Sequence, residues 1–221
     1  MDDIEFITTA DGSHTLRHKR LNETYHSVHG AIQESSHVFI ANGLQYFHQE
    51  RKVDQVSVLE VGFGTGLNTL LSLRYASANA ISIRYHTLEP FPLTKEIWSQ
   101  LNYAGDDRRD VFQSLHEAPW DRETPVTPEF TLLKQQVSLQ DVHLKERYDV
   151  VYFDAFAPSV QPELWACDLL RKVTDRLNAG GVFTTYSARG QMKRDLRSLG
   201  MLVETLPGPP GKMEMVRAVR S

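Results

Sequence analysis

Short apolar segments rich in β-branched residues alternate with amphipathic segments over residues 56–199. Such alternation predicts a parallel sheet covered by helices, and the run at 56–61 is typical of a buried parallel strand. The predicted strands are 56–61, 81–88, 130–137, 148–153 and 182–186, with 202–206 and 213–219 as a closing antiparallel pair. The predicted helices are 67–75, 92–103, 109–116, 162–177 and 191–199. Prolines at positions 119, 125 and 128 indicate a loop, and Gly180-Gly181 is expected to end the fourth of these helices. The pattern therefore predicts a doubly wound α/β fold with a seven-stranded, mostly parallel sheet.

The first fifty residues have a different pattern. Asp11-Gly12-Ser13 separates two strand-like stretches and predicts a hairpin turn. Apolar residues then recur at helical spacing over residues 38–47, and Ser35 or Ser36 is expected to cap that helix. We therefore expect a small hairpin and helix extension at residues 1–50 and an α/β domain at residues 51–221.

Composition and cysteine content favour a globular protein of the cytoplasm. The hydrophobic set makes up 41% of the chain and charged residues 24%, which is ordinary for a folded domain. No run reaches the roughly 18 apolar residues of a membrane span. A single cysteine, Cys167, fits a reducing compartment, and residues 1–13 lack the features of a secretory signal. We expect a cytoplasmic protein that has no membrane partner.

The net charge of −4 conceals an uneven distribution. Residues 171–221 carry ten lysines and arginines against four acidic residues, whereas residues 1–170 are strongly acidic. A basic segment of this kind could contact the phosphates of a nucleic acid. A solvated helix surface explains the same charges equally well.

A glycine-rich segment follows the first buried strand directly. It reads Gly62-Phe63-Gly64-Thr65-Gly66, with Glu60 before it and Asn68 after it. Glycines at a strand-to-helix junction let the backbone approach a ligand closely, and the helix N-terminus offers free N–H groups. Nicotinamide enzymes use a different spacing, Gly-x-Gly-x-x-Gly. The spacing here resembles the S-adenosylmethionine loop of class I methyltransferases, which indicates that Glu60, Gly62, Phe63, Gly64, Thr65, Gly66 and Asn68 bind this cofactor.

Two carboxylates lie at the ends of later strands. Glu89 ends the second strand, where doubly wound folds hydrogen-bond the ribose hydroxyls of a nucleotide. Asp154 ends the fourth strand, at the sheet edge where ligands of open α/β sheets bind. We therefore predict that Glu89 contacts the cofactor and that Asp154 is the catalytic residue.

Longer motifs resemble those of one family, the MnmC/MnmD methyltransferases. The matching segments include Gly62-Phe63-Gly64-Thr65-Gly66-Leu67-Asn68, Asp154-Ala155-Phe156-Ala157-Pro158, Gln161-Pro162-Glu163-Leu164-Trp165 and Gly208-Pro209-Pro210-Gly211-Lys212-Met213-Glu214-Met215. The resemblance covers nearly the whole chain. Members of the family methylate the aminomethyl group on the wobble uridine of certain tRNAs, the last step towards 5-methylaminomethyl-2-thiouridine.

This resemblance implies several properties of the chain. They are a class I, Rossmann-like methyltransferase fold in residues 51–221, S-adenosylmethionine as methyl donor and a tRNA substrate. A separate enzyme would supply the aminomethylated uridine. Some members are fused to a flavin oxidoreductase domain, for which 221 residues leave no room. We therefore expect neither FAD nor a metal ion.

One position departs from the pattern of these enzymes. They usually carry an acidic residue just after the third strand, against the adenine amino group, whereas this chain has Ser138 there. The adenine of the cofactor is then bound more weakly than in relatives, or Gln136 or Asp141 makes the contact to its amino group.

The remaining candidates concern the tRNA substrate. Asp154 is expected to accept a hydrogen bond from the substrate amine and to help remove a proton. Tyr25 and His26 could reach the substrate pocket from the extension, and Phe156, Pro158 and Trp165 could help to form it. Candidates for phosphate contacts are Arg189, Lys193, Arg194, Arg197 and Lys212.

Two other functions are compatible with this pattern. Aminopropyltransferases of polyamine synthesis have a similar hairpin domain and sheet, but they generally carry a Gly-Gly-Gly-Asp-Gly type of loop and an Asp-rich strand. The second alternative is a non-catalytic RNA-binding protein with the same fold, for which Ser138 could be a sign of decay. The intact glycine loop, Glu89 and Asp154 favour the methyltransferase.

Overall fold

The computed structural model describes residues 3–105 and 109–221. It begins with a three-stranded antiparallel sheet formed by β1 (Ile4–Thr8), β2 (His14–His18) and β3 (Glu23–Thr24). β1 and β2 pair as the predicted hairpin, and Gly12 at its tip has a positive φ of 82°. The extension therefore has one short strand more than the hairpin predicted from the sequence.

A continuous helical run follows, composed of α1 (Ala31–Ser35), a π-helical stretch (Ser36–Gln45) and α2 (Tyr46–Arg51). The helix begins at Ala31, so the prediction that Ser35 or Ser36 caps it is wrong. Asp11 of the hairpin turn provides the cap instead, because its Oδ2 accepts a hydrogen bond of 3.0 Å from the Gln33 N–H. A carboxylate in this position satisfies a free donor of the first turn.

The main sheet has eight strands: β4 (Gln55–Val61), β5 (Ser82–Leu88), β6 (Glu123–Thr127), β7 (Phe130–Gln135), β8 (Tyr148–Phe153), β9 (Leu177–Thr185), β10 (Met201–Pro207) and β11 (Glu214–Arg220). Their spatial order is β10-β11-β9-β8-β4-β5-β7-β6. Strands β9, β8, β4, β5 and β7 run parallel, whereas β11 and β6 pair antiparallel with their neighbours. The predicted α/β class is confirmed, and the seven predicted strands are present.

The eighth strand, β6, occupies part of the predicted loop. It lies at the edge of the sheet and pairs only with β7, with an irregularity after Pro125. An edge strand tolerates proline because its outer N–H groups need no partner. The prolines therefore concealed this strand in the sequence pattern.

The helices of the α/β domain are α3 (Leu67–Asn79), α4 (Lys95–Trp98), α5 (Arg109–Glu117), α6 (Cys167–Thr174) and α7 (Gly190–Ser198). The predicted helix at 162–177 is divided into a 3₁₀ turn (Pro162–Trp165) and α6 by Ala166, which has an extended conformation. It ends at Thr174, and Gly180-Gly181 lies within β9, so the predicted glycine stop is wrong. The predicted helix at 92–103 is reduced to the single turn α4.

Alternate residues of the central strands pack against opposite layers. Val56 and Val58 of β4 contact the layer that contains α3 and the helical run from Ala31, whereas Leu59 and Val61 contact the layer that contains α6 and α7. All four are almost completely buried. This arrangement holds the carboxyl ends of β4, β5 and β8 at one edge of the sheet. Within residues 3–105 and 109–221, the structure contains no helix with the length and apolar character of a membrane span.

Candidate active site

A cavity of about 940 Å³ opens at this edge, between the loops that follow β4, β5, β7 and β8 and the N-terminal extension. Its volume is in the range of sites for small molecules and cofactors. The predicted site residues that line it are Tyr25, His26, Gly62, Phe63, Gly64, Thr65, Glu89, Ser138, Asp154, Phe156 and Lys212. Those that do not line it are Glu60, Gly66, Asn68, Pro158, Trp165, Lys193 and Arg194. The structure thus brings together the two strand-end carboxylates and the glycine loop, as the sequence predicted.

The glycine loop depends on glycine at three positions with positive φ: 95° at Gly62, 49° at Gly64 and 75° at Gly66. A Cβ on Gly62 would lie 2.8 Å from the backbone oxygen of Asp154. A Cβ on Gly66 would lie 2.8 Å from Nε2 of His116. The loop therefore packs directly against the backbone that carries Asp154.

His116 packs against the glycine loop at Thr65 and Gly66, a role that the sequence pattern did not indicate. Burial lowers its pKa to about 3, so the ring is neutral and its Nε2 contacts the carbonyl oxygen of Thr65 at 3.2 Å. Its ring stacks on Trp98, with centroids 4.7 Å apart. The signal was weak because His116 is one of nine histidines and lies fifty residues from the loop.

Glu89 holds the loop from the neighbouring strand. Its carboxylate accepts hydrogen bonds from the N–H of Gly64 at 3.0 Å and of Phe91 at 2.9 Å. Burial raises the pKa of this carboxyl, and the two backbone donors oppose that rise. Glu89 therefore lines the cavity with a defined orientation.

Glu60 is completely buried beneath the loop. Its Oε2 accepts hydrogen bonds from Thr87 at 2.7 Å and from Thr69 at 3.2 Å, while Oε1 has no partner. Burial raises its pKa to about 8, and the charge of Asp154 adds to this rise. Because Glu60 does not line the cavity, this oxygen lies beneath the loop and not at its ligand-facing surface.

The raised pKa of Glu60 predicts a pH-dependent stability. Between the ordinary value of 4.5 and about 8, the unfolded chain releases the proton of Glu60 while the folded chain retains it. The free energy of unfolding therefore falls as pH rises through this window. Glu60→Gln should remove the part of this dependence that comes from Glu60 and stabilise the ligand-free protein at pH 8.5 by at most about 5 kcal/mol. Urea unfolding of both proteins at pH 5 and pH 8.5 measures the effect, and equal losses of stability in the two proteins would contradict it.

Asp154 lies at the end of β8, on the wall of the cavity. Its Oδ2 accepts a hydrogen bond of 2.8 Å from the side-chain amide of Asn68, whose own Oδ1 is buried without a partner. Burial raises the pKa of Asp154 to about 7, with a further rise from Glu34, while the Asn68 hydrogen bond and Lys212 lower it. Asn68 thus acts on the site by orienting Asp154.

The N-terminal extension closes one side of the cavity. The Nε2 of His26 lies 2.8 Å from Oγ1 of Thr65 in the glycine loop. Burial lowers the pKa of His26 to about 4, so its ring is neutral near pH 7. The ring of Tyr25 packs against Gly64 and meets Phe156 edge to face, with centroids 5.1 Å apart. The extension is therefore a wall of the site.

The cavity wall also contains an ion pair between Glu34, which the sequence analysis did not assign to the site, and Lys212, which it assigned to phosphate contact. Glu34, which is 4% exposed, forms an ion pair with Lys212, and its other oxygen accepts a hydrogen bond of 2.7 Å from the Ser27 N–H. The ammonium of Lys212 lies 3.8 Å from the ring centroid of Tyr186. Nothing in the sequence around Glu34 indicated a partner 178 residues away.

Several predicted substrate contacts lie elsewhere. Trp165 is buried, and its indole N–H donates to the carbonyl oxygen of Phe156 at 2.8 Å, so it supports the cavity from behind. Lys193, which is partly buried, contacts Glu214 at 3.3 Å, and the exposed Arg194 contacts Gln191 at 2.7 Å, both outside the cavity. Pro158 is half-buried outside the cavity.

Ser138 occupies the position expected to face the adenine. It lines the cavity, and its hydroxyl donates to the carboxylate of Asp141 at 2.6 Å. Asp141 and Gln136 are both exposed, and neither lines the cavity. Among the described residues, no group of three or more histidine, cysteine, aspartate or glutamate side chains is arranged to hold a metal ion.

Comparisons with known proteins agree with this geometry. Residues 121–221 match the family model described as S-adenosyl-L-methionine-dependent methyltransferase. The tRNA 5-methylaminomethyl-2-thiouridine biosynthesis bifunctional protein MnmC of Burkholderia multivorans is 29% identical over 220 residues, which is 91% of this chain and 33% of that protein. MnmC of Pseudoalteromonas atlantica is 29% identical over 98% of this chain and 33% of its own length. The chain therefore spans about a third of the length of the curated relatives it matches.

Solved structures show the same relationship. The crystal structure of MNMC2 from Aquifex aeolicus superposes with a TM-score of 0.82 at 27% identity, covering 97% of this chain and 70% of that one. Spermidine synthase from Thermotoga maritima superposes with a TM-score of 0.62 at 14% identity, covering 99% of this chain and 69% of that one. The second likeness, at such low identity, is one of fold alone.

Proposed function

We propose that this chain, which is similar to MnmC proteins over most of its length and matches an S-adenosyl-L-methionine-dependent methyltransferase model over residues 121–221, methylates the 5-aminomethyl group of the wobble (2-thio)uridine in tRNA. The product would be 5-methylaminomethyl-2-thiouridine. The observation that carries the proposal is the position of Asp154, beside the glycine loop and on the wall of one cavity with Glu89. A separate enzyme would supply the aminomethylated uridine, and the protein would act in the cytoplasm.

The residues present fit S-adenosylmethionine. Gly62 and Gly64 line the cavity and carry no Cβ, so their backbone can approach a ligand closely. Glu89 lines the same cavity and is placed to accept hydrogen bonds from ribose hydroxyls. When bound, the cofactor supplies an electrophilic methyl group, and the electrons of the breaking C–S bond leave with its sulfur.

The substrate amine must lose a proton before its nitrogen can attack. An alkylamine such as lysine has a reference pKa near 10.4, so an ordinary aspartate of about 3.9 is a very weak acceptor. Burial brings the pKa of Asp154 to about 7. The gap between the pKa values of the amine and the carboxyl therefore falls from more than six units to about three and a half, and the remaining cost of the proton transfer is roughly 5 kcal/mol. Asp154 can then accept the proton from the ammonium and hold the amine by a hydrogen bond.

Other groups of the site restrict the amine to one orientation. Asn68 holds one oxygen of Asp154 through its amide, which leaves the other oxygen for the substrate. Tyr25 and Phe156 form an aromatic corner of the same cavity and could pack against a uridine ring. Asn68, Tyr25 and Phe156 would therefore contribute to catalysis by positioning the substrate, and positioning accounts for much of the rate enhancement in bimolecular transfers.

The outer basic residues are candidates for tRNA backbone contacts. Replacing Lys193 and Arg194 together by glutamine should weaken tRNA binding at low salt, because two phosphate contacts are lost. It should also reduce the slope of log affinity against log salt by roughly 1.5. Filter-binding titrations from 50 to 300 mM salt measure this slope, with Lys145→Gln, an exposed lysine outside the basic segment, as control. A slope equal to that of the unchanged protein would remove both residues from the interface.

The direct test of the function is incubation with labelled S-adenosylmethionine and hypomodified tRNA, followed by mass spectrometry of the nucleosides. We expect a mass increase of one methyl group on the aminomethylated wobble uridine. Labelled spermidine from decarboxylated S-adenosylmethionine and putrescine would instead favour an aminopropyltransferase. Binding of tRNA without any methyl transfer would favour a non-catalytic RNA-binding protein.

A further inference from the structure

The Glu34–Lys212 ion pair lies in the wall of the cavity, with a buried carboxylate and a partly exposed lysine side chain. Glu34 is 4% exposed, and the Lys212 side chain is 31% exposed. Glu34 comes from α1, whereas Lys212 comes from the loop between β10 and β11. The pair therefore joins the extension to the far edge of the sheet at the cavity wall.

Both members of the pair are fixed by further contacts. The second oxygen of Glu34 accepts a hydrogen bond from the Ser27 N–H at 2.7 Å. The Lys212 ammonium lies over the ring of Tyr186, and the Tyr186 hydroxyl donates to the carbonyl oxygen of Ala155 at 2.8 Å. Ala155 follows Asp154 directly, so the pair connects to the backbone of the catalytic strand end through one aromatic ring.

This geometry argues against a phosphate contact by Lys212. A tRNA phosphate that drew the ammonium away from Glu34 would leave a buried carboxylate without its counter-ion. Lys193, by contrast, contacts the exposed carboxylate of Glu214 at 3.3 Å and does not line the cavity. Lys212 is thus suited to a role inside the cavity.

We propose that Glu34 and Lys212 form a positioning pair that sets the charge around Asp154, so that the cavity presents one proton-accepting carboxylate to a cationic primary amine. The inference rests on the proposed function for its substrate and extends it to two further residues. Glu34 supplies a negative charge that disfavours ionisation of Asp154, and Lys212 supplies a positive charge that favours it. Without Lys212, two uncompensated carboxylates would face each other across the site.

Four groups around Asp154 are uncharged near pH 7, whereas the carboxyls of Glu23 and Glu89, whose pKa values burial raises, line the same cavity. Burial raises the pKa of Glu60 to about 8 and that of Tyr186 well above its ordinary value, so both are mostly protonated. His26, which faces the pair, is neutral because burial lowers its pKa to about 4. Asn68 contributes a neutral hydrogen bond. The charged groups that shift the pKa of Asp154 are Glu34 and Lys212.

The experiment follows the carboxyl carbon of Asp154 by ¹³C NMR during a pH titration of the ligand-free protein, with Asp154→Asn to assign the signal. Glu34→Gln should lower the titration midpoint by about one pH unit, because the repelling charge is lost while the shape is retained. Lys212→Gln should raise it by a similar amount, and Lys212→Arg should leave it near the original value. Glu204→Gln, which breaks the Glu204–Arg217 surface pair, is the matched control and should not move it.

Two results would overturn the inference. One is an unmoved midpoint in Glu34→Gln or Lys212→Gln while the spectrum shows an intact fold. The other is a fall of about 0.9 in the salt slope of tRNA affinity in Lys212→Gln, which would make Lys212 a phosphate contact. The titration needs no turnover, so failure of the proposed function, seen as no methyl transfer to tRNA by the unchanged protein, is distinguished from failure of the pair.

Discussion

Asp154→Asn should lose methyl transfer by roughly 10²–10⁴-fold, because general acid–base groups contribute that much to a rate. Asparagine keeps the shape of the side chain and can still accept the hydrogen bond from Asn68. It cannot take a proton from the substrate ammonium, so the amine would stay protonated in the cavity. We therefore expect kcat to fall while the dissociation constant for S-adenosylmethionine changes by less than about threefold.

Single-turnover rates and calorimetric titration of the cofactor measure these two quantities. Asp168→Asn is the matched control, since Asp168 is an exposed aspartate outside the cavity. Turnover near the original rate in Asp154→Asn would remove Asp154 from the mechanism. Loss of cofactor binding together with turnover would assign it to the cofactor and not to the amine.

Gly62→Ala should abolish both cofactor binding and turnover, in contrast to the loss of turnover alone in Asp154→Asn. The new Cβ would lie 2.8 Å from the backbone oxygen of Asp154, at a residue whose φ is 95°. Backbone cannot move aside as a flexible side chain can, so the glycine loop and the end of β8 must separate. A displacement near 1 Å at a catalytic site costs about 100-fold in rate, and we expect at least that loss in kcat/KM.

Gly200→Ala separates this effect from backbone strain alone. Gly200 has a positive φ of 81°, but a Cβ there would meet no atom within 4 Å. Its cost should be limited to the strain of a left-handed residue, about 1–2 kcal/mol of folding free energy. Cofactor affinity should be retained. Calorimetry and thermal unfolding of both variants test this contrast, and equal cofactor affinities in the two variants would refute the close-packing explanation.

The centre of the site was predictable from sequence because of how parallel strands are arranged. Gly62, Glu89 and Asp154 each follow a strand with a clear apolar pattern, and the carboxyl ends of such strands meet at one edge. The structure places all three on the same cavity. Local pattern is sufficient here, since each residue is positioned by its own strand.

Glu34 and Lys212 show what local pattern does not contain. Their pairing depends on the docking of α1 against the loop after β10, across 178 residues of chain. The sequence analysis assigned no role to Glu34 and treated Lys212 as a candidate phosphate contact. Burial of both, which only the assembled fold reveals, changes how each charge is interpreted.

The errors in secondary structure have a similar cause. The helix at Ala31 begins early because Asp11, twenty-two residues away, satisfies the Gln33 N–H. Gly180-Gly181 resembles a helix stop but lies in β9, next to an irregularity in its pairing with β8. In each case a tertiary contact overrode a sound local signal.

A crystal structure of the protein with S-adenosylmethionine or its demethylated product tests the central claim most directly. We expect the ligand in the cavity, its ribose hydroxyls within hydrogen-bond distance of Glu89 and its sulfur on the side of the cavity that carries Asp154. A ligand bound outside this cavity, or an Asp154 side chain turned away from the sulfur, would contradict the account.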